Sequence, residues 1–175
     1  MKGKVIAVGS WVVVLWICKV FLSSLPYKFT SHPDTQHIFG TIGGWMEGVL
    51  SQSIGQWFTQ YGAFAVGGAE LLVSVLLLLP AVFFLITKVN SGVTLPSRAL
   101  VHSVGGLVAS LVMCGAVFFH LATPLGIEVL HNGQSDGGSL FYAAVSILVL
   151  GLVMAIVNFS HWQSMKSAHL NPAVQ

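Results

Sequence analysis

The stretch YGAFAVGGAELLVSVLLLLPAVFFLIT, Tyr61 to Thr87, decides the fold. It carries one charged residue, Glu70. About 20 apolar residues are enough to carry a helix across the hydrocarbon core of a bilayer. Lipid offers no partner for a backbone amide, so such a segment must satisfy its own hydrogen bonds as a helix. Three further stretches read the same way: Val5–Leu25, Ala99–Ala122 and Ser139–Phe159. The expected fold class is all-α, an integral membrane antiparallel four-helix bundle, in one domain over residues 1–175.

Composition supports this. Of 175 residues, 7% are charged and 55% hydrophobic. A soluble domain carries about 25% charged residues. The chain therefore cannot furnish a charged shell. It is neither a disordered segment nor a nucleic-acid binder. Its two cysteines, Cys18 and Cys114, form no CxxC, which argues against a dithiol exchanger. No phosphate loop, dinucleotide fingerprint or nucleophile elbow is present. The start, Met1-Lys2-Gly3-Lys4 before an apolar run, has the form of a secretory signal. No Ala-x-Ala site follows it, so the first run is read as a retained span.

The few charges orient the chain. Lys2, Lys4, Lys88, Arg98 and Lys166 fall on one side of the spans, with no acid among them. Lys28, Asp34, Glu47, Glu128 and Asp136 fall on the other. The excess of basic residues in cytoplasmic loops predicts cytoplasmic termini, with the 26–60 and 123–138 connections facing outward. Between Pro26 and Pro33 the chain is expected to be extended or turned. Residues 36–50 space their apolar side chains as an amphipathic helix, either anchored in the outer membrane surface or lying as a lid over a cavity. His131 to Gly138 reads as a turn-rich loop.

Within a membrane, helices meet through small and polar side chains. Span two offers Ala63, Gly67, Glu70, Ser74 and Ala81; span three offers His102, Gly106, Ala109, Met113, Ala116 and His120. Span four offers Ala144, Gly151, Ala155 and Asn158. For span one the stripe is Gly9, Val12, Trp16, Lys19 and Ser23. An ionisable group inside a span is costly and marks a site by default. Glu70 lies about 13 Å inside the outer end of its helix, and Lys19 about 9 Å. The two are expected to approach as an ion pair in the outer half of the bundle, with Lys19 snorkelling outward as the alternative. His120, near the exit of span three, could shuttle a proton or bond loop backbone. Glu70, Lys19 and His120 are thus the candidates for a ligand pocket with proton exchange. An ion pair that merely fixes helix packing is the competing reading.

Haem is disfavoured. His102 and His120 share one face, but no second helix carries a matching pair. The set His32, Asp34, His37, Glu128, His131 and Asp136 is chemically suited to a metal but has no recognised ligand spacing.

The runs Leu25-Pro-Tyr-Lys-Phe-Thr, His37-Ile-Phe-Gly-Thr-Ile-Gly-Gly-Trp45, Gly67-Gly-Ala-Glu70-Leu-Leu, Phe118-Phe-His-Leu-Ala-Thr-Pro-Leu-Gly126 and Asp136-Gly-Gly resemble, in order and spacing, the DoxX-like family of small bacterial membrane proteins. The resemblance covers all four spans. It implies a four-helix bundle of the inner membrane with cytoplasmic termini. It further implies an accessory or quinone-interacting subunit of a membrane redox system, with Glu70 and His120 at matching positions. Lys19 stands where the family often has a basic or polar residue. The long 26–60 connection departs from the family's shorter members. Expected partners are the lipid bilayer, a redox subunit and a quinone-like amphiphile, with a homo-oligomer permitted by the small-residue faces. The other functions weighed are a structural or assembly subunit without ligand, and a small transporter or channel. The lack of an inverted repeat or broken helix argues against transport.

Overall fold

The structure, a computed structural model, describes residues 2–170. Five helices dominate: α1 (Lys2–Phe29), α2 (Pro33–Val49), α3 (Gln52–Val89), α4 (Arg98–Ala122) and α5 (Ser139–Leu170). A small antiparallel hairpin, β1 (Leu130–His131) and β2 (Gln134–Ser135), sits in the connection between α4 and α5. Helices α1, α3, α4 and α5 are each long and apolar enough to cross a membrane. This is the architecture of an integral membrane protein.

Burial follows chemistry appropriate to lipid. Val12, Leu15, Leu72, Leu111 and Ile156 point outward and are exposed. Small and polar residues such as Ala109, Ser110, Gly151 and Asn158 point inward. The central core joins Val14, Ile17 and Phe21 of α1 to Val73 and Leu77 of α3, Ala109 and Met113 of α4, and Ile147 and Met154 of α5. At the closest approach of α4 and α5, a Cβ on Gly106 would lie 2.6 Å from the Gly151 carbonyl oxygen. Ser103 and Ser110 of α4 donate to the Ala155 and Leu148 carbonyls of α5 at 2.9 Å each. Trp16 Nε1 of α1 donates to Ser146 Oγ of α5 at 2.9 Å.

Several boundaries differ from the expectation. Helix α1 does not stop at Leu25 but runs through Pro26 to Phe29. A proline near a helix end removes one amide bond, and the turn beyond it can still close. Here Thr30 N donates to the Pro26 carbonyl at 3.1 Å. The chain reverses only afterwards, at Ser31, whose φ is +54°. Pro33 likewise starts a helix instead of extending the loop. It stands in the first turn of α2, behind the His32 cap, whose side chain accepts from Asp34 N. The second span begins at Gln52, not Tyr61, under the Ser51 cap. At 38 residues α3 is about 57 Å long, well beyond the hydrocarbon thickness. The turn-rich 131–138 stretch contains the hairpin, turned at Asn132-Gly133 with both φ positive, as a tight two-residue turn requires.

Helix α2 packs along the first third of α3. Phe39 meets Gly62, Gly43 meets Thr59 and the Gly55 carbonyl, and Glu47 meets Gly55. A second small core of Ile42, Leu125 and Val129, with Ile38, Met46, Phe58 and Phe119 against it, fastens α2 to the segment after α4. Of the two expected roles for this helix, the structure places it over a cavity.

Candidate functional site

Glu70 is 3% exposed on the inner face of α3. Its cation is Lys28, not Lys19. Lys28 Nζ donates to Glu70 Oε2 at 2.5 Å and to Ser24 Oγ at 2.8 Å. Ser24 Oγ stands 2.8 Å from the same carboxylate oxygen. The extra turn of α1 past Pro26 creates this arrangement. It carries Lys28 onto the face of Ser24, one helical turn away, and directly over Glu70.

Lys19 is corrected accordingly. It faces outward and is exposed, with Nζ 5.2 Å from the ring centre of Trp16. Gly9, Val12 and Lys19 form the outer side of α1, and Ser23 is exposed as well. The buried side is Ser10, Val14, Ile17, Cys18 and Phe21. On α3, Ala63, Gly67, Glu70 and Ser74 are buried as expected, whereas Ala81 is exposed. The inward residues of α4 and α5 are those anticipated, with Ala116 half-buried.

Beside Glu70 lies a cavity of about 520 Å³. Its walls come from all five helices: Phe21 and Ser24 of α1, Phe39 of α2, Glu70 of α3, Met113 and His120 of α4, and Ala144 of α5. It is apolar apart from a few converging groups, the usual character of a small-molecule site. Two of those groups keep an unused atom. Glu70 Oε1 has no hydrogen-bond partner among the described residues, since Ser24 and Lys28 both meet Oε2. His120 Nδ1 lies 2.7 Å from the Gly126 carbonyl oxygen. A carbonyl can only accept, so Nδ1 carries the hydrogen, and Nε2 of a neutral ring is left as an acceptor. His120 thus bonds loop backbone and lines the cavity at once.

The rim holds groups that sequence reasoning scattered. Asp34 lines the cavity, and its Oδ1 accepts from His131 Nδ1 at 2.7 Å. His37 stacks on His131 with ring centres 4.6 Å apart. His32 Nδ1 lies 3.4 Å from Asp34 Oδ2. These contacts tie the start of α2 to the β hairpin. The other two residues of the six considered for a metal are engaged elsewhere. Glu128 accepts from Ser135, and Asp136 takes the amide hydrogens of Val129, Gly138 and Leu140. Among the described residues no group of three or more His, Cys, Asp or Glu side chains could hold a metal ion. Burial alone would raise the Asp136 pKa. Those amide donors, with the Ser139 hydroxyl, outweigh burial and hold the carboxyl below its ordinary value.

His102 occupies the opposite end of α4, fully buried, edge-on to Trp11. Arg98 Nη1 reaches both its Nδ1, at 3.4 Å, and Asn158 Oδ1, at 3.1 Å. Asn158 Nδ2 in turn donates to Ser10 Oγ at 2.8 Å. His161 lies against Gly3 of α1. Lys28 was missed because span one was ended at Leu25, and Ser24 because the opposite face of that span was taken as the inner one. Their i, i+4 spacing and the lone acid in span two were the available signal.

No family model, curated protein or solved structure matches the chain.

Proposed function

We propose that this chain is an antiparallel four-helix bundle of the bacterial inner membrane that holds a quinone-like amphiphile in the cavity beneath α2. In this reading it serves, like the DoxX-like proteins it resembles, as an accessory or quinone-interacting subunit of a membrane redox system. The termini and the 90–97 connection are cytoplasmic, and α2 covers the outer end. Cys18 with Ser74 and Ser24 with Glu70 on one helix pair, and Ser103 with Ala155 and Ser110 with Leu148 on another, support opposed neighbouring helices. The distribution of basic residues supports the sidedness.

One observation carries the ligand reading: a cavity stands open beside a buried carboxylate that has an unused oxygen. A purely structural ion pair needs no such space. Glu70 Oε1 and His120 Nε2 both accept hydrogen bonds, which suits a ligand bearing O–H groups on a flat apolar ring. Glu70 would hold such a ligand by accepting a hydrogen bond from its hydroxyl, with Lys28 holding the carboxylate in place. The structural reading keeps one point in its favour, since Lys28 and Glu70 are already paired.

The test is gentle purification from native membrane, followed by mass spectrometry of the solvent-extracted small molecules. A stoichiometric quinone-like molecule in the wild type, and its loss in a folded Glu70→Gln variant, is the expected result. Equal retention by both proteins would remove Glu70 from the site. Bulk lipid alone in the wild type would leave the structural reading.

A further inference from the structure

A second pocket, of about 460 Å³, lies at the other end of the molecule. It is an open pocket formed by the last turns of α3 and the connection to α4, lined by Pro80, Phe84, Thr87, Val93, Leu95 and Arg98 among others. Lys88, outside the lining, has its Nζ 5.6 Å from the ring centre of Phe84. The pocket mixes apolar side chains with the polar Thr87 and Thr94 and carries one cation, Arg98.

Arg98 is half-buried and held from behind. One of its terminal nitrogens, Nη1, is spent on His102 and Asn158. Both partners are uncharged acceptors. Nε and Nη2 have no partner among the described residues, and no carboxylate lies within ion-pair distance of Arg98 among them. The count of acids explains why. The chain has five Asp and Glu side chains in all. Asp34 and Glu47 are on α2, Glu70 is paired to Lys28, and Glu128 and Asp136 are in the hairpin connection. All belong to the α2 end. None is available to the end that gathers Lys4, Lys88, Arg98 and Lys166. A half-buried guanidinium with free donors and no carboxylate to meet can take an anion from outside the chain. Its planar fork matches phosphate oxygens.

We infer that this pocket binds a phosphate-bearing anion at Arg98, and that the anion is the headgroup of an acidic phospholipid. The apolar walls of Phe84, Val93 and Leu95 suit the glycerol and first acyl carbons. Basic pockets between spans on the cytoplasmic side are a recurrent solution for acidic headgroups. The inference is independent of the cavity beside Glu70 and of any quinone.

The full-length protein in neutral detergent is titrated with phosphatidylglycerol or phosphatidylcholine, and native mass spectrometry counts the bound lipid. Inorganic phosphate is added in a parallel series. The wild type is expected to retain phosphatidylglycerol over phosphatidylcholine. Arg98→Gln removes charge-assisted hydrogen bonds and is expected to weaken that retention about tenfold. Val93→Trp fills the pocket without touching the cation and is expected to weaken it too. Phosphate that binds alone and displaces the lipid would support the same site with a free anion as its occupant. Equal retention of the two lipids by the wild type overturns the proposal. So does undiminished retention by Val93→Trp, which decides the matter if Arg98→Gln does not fold.

Discussion

Glu70 and Lys28 form their pair in a place where neither charge is well hydrated; their side chains are 5% and 15% exposed. Removing one partner of a buried pair strands the other, at a cost of roughly 3–5 kcal/mol. Lys28→Met is therefore expected to lower the unfolding midpoint in detergent sharply. Lys19→Ala, on the lipid-facing side, is expected to stay within about 0.5 kcal/mol of wild type. If the two variants melted alike, the assignment of Lys28 would fail. At Asp136 the prediction concerns acid. Its folded pKa lies below its ordinary value of 3.8, so it stabilises the folded state fully above that value. That contribution is lost as pH falls through the lower folded pKa. Thermal unfolding followed between about pH 6 and pH 3 should show part of the acid-side loss disappearing in Asp136→Asn. An unchanged profile would mean that the amide donors around Asp136 do not discriminate its charged form. His102 poses a different cost. Arginine can only donate, so His102 Nδ1 accepts from Arg98 and the ring hydrogen sits on Nε2. That Nε2 is buried without a hydrogen-bond partner among the described residues.

The elements differ in how far the sequence could place them. Apolar length made the four long helices legible, because a run of that length has one viable structure in lipid. Their ends were less so. Pro26 and Pro33 both read as breakers, yet one lies inside α1 and the other starts α2. A proline's effect depends on where in the helix its missing amide falls, and that position is set by packing beyond it. Helix α2 was legible as a helix from its spacing, but its seat was not. That seat is made by glycines. A Cβ on Gly55 would collide with Glu47 and the Gly43 carbonyl oxygen, with the Glu47 amide nitrogen only 2.7 Å away. Backbone cannot yield as a flexible side chain can, so Gly55→Val must push α2 off α3. A loss of about 1–3 kcal/mol is expected. Because α2 lines the cavity, the variant is also expected to retain less of any small molecule extracted from the wild type. Full retention by a destabilised protein would show that α2 is no cover.

On the scale of the whole molecule, the charges separate into a mixed end and a purely basic end. That asymmetry yields a topology prediction. With Cys18 and Cys114 replaced by serine and alanine, a cysteine at Asn132 should react with a membrane-impermeant maleimide in intact cells. One at Ser164 should react only after lysis. The reverse pattern would invert the proposed orientation and move the Glu70 cavity to the cytoplasmic leaflet. Class, number of long helices, most of the inward residues of α3, α4 and α5, and the burial of Glu70 were legible in the sequence alone. They follow from the cost of polar backbone and charge in hydrocarbon, which is paid residue by residue wherever the neighbours lie. The partner of Glu70, the inward face of α1 and the cavity roof were decided only by tertiary structure. Span one is apolar almost all round, so its composition does not say which side turns inward. Its rotation is set by packing against α3 and α5, and that packing puts Lys28 over the carboxylate and Lys19 on the exposed side.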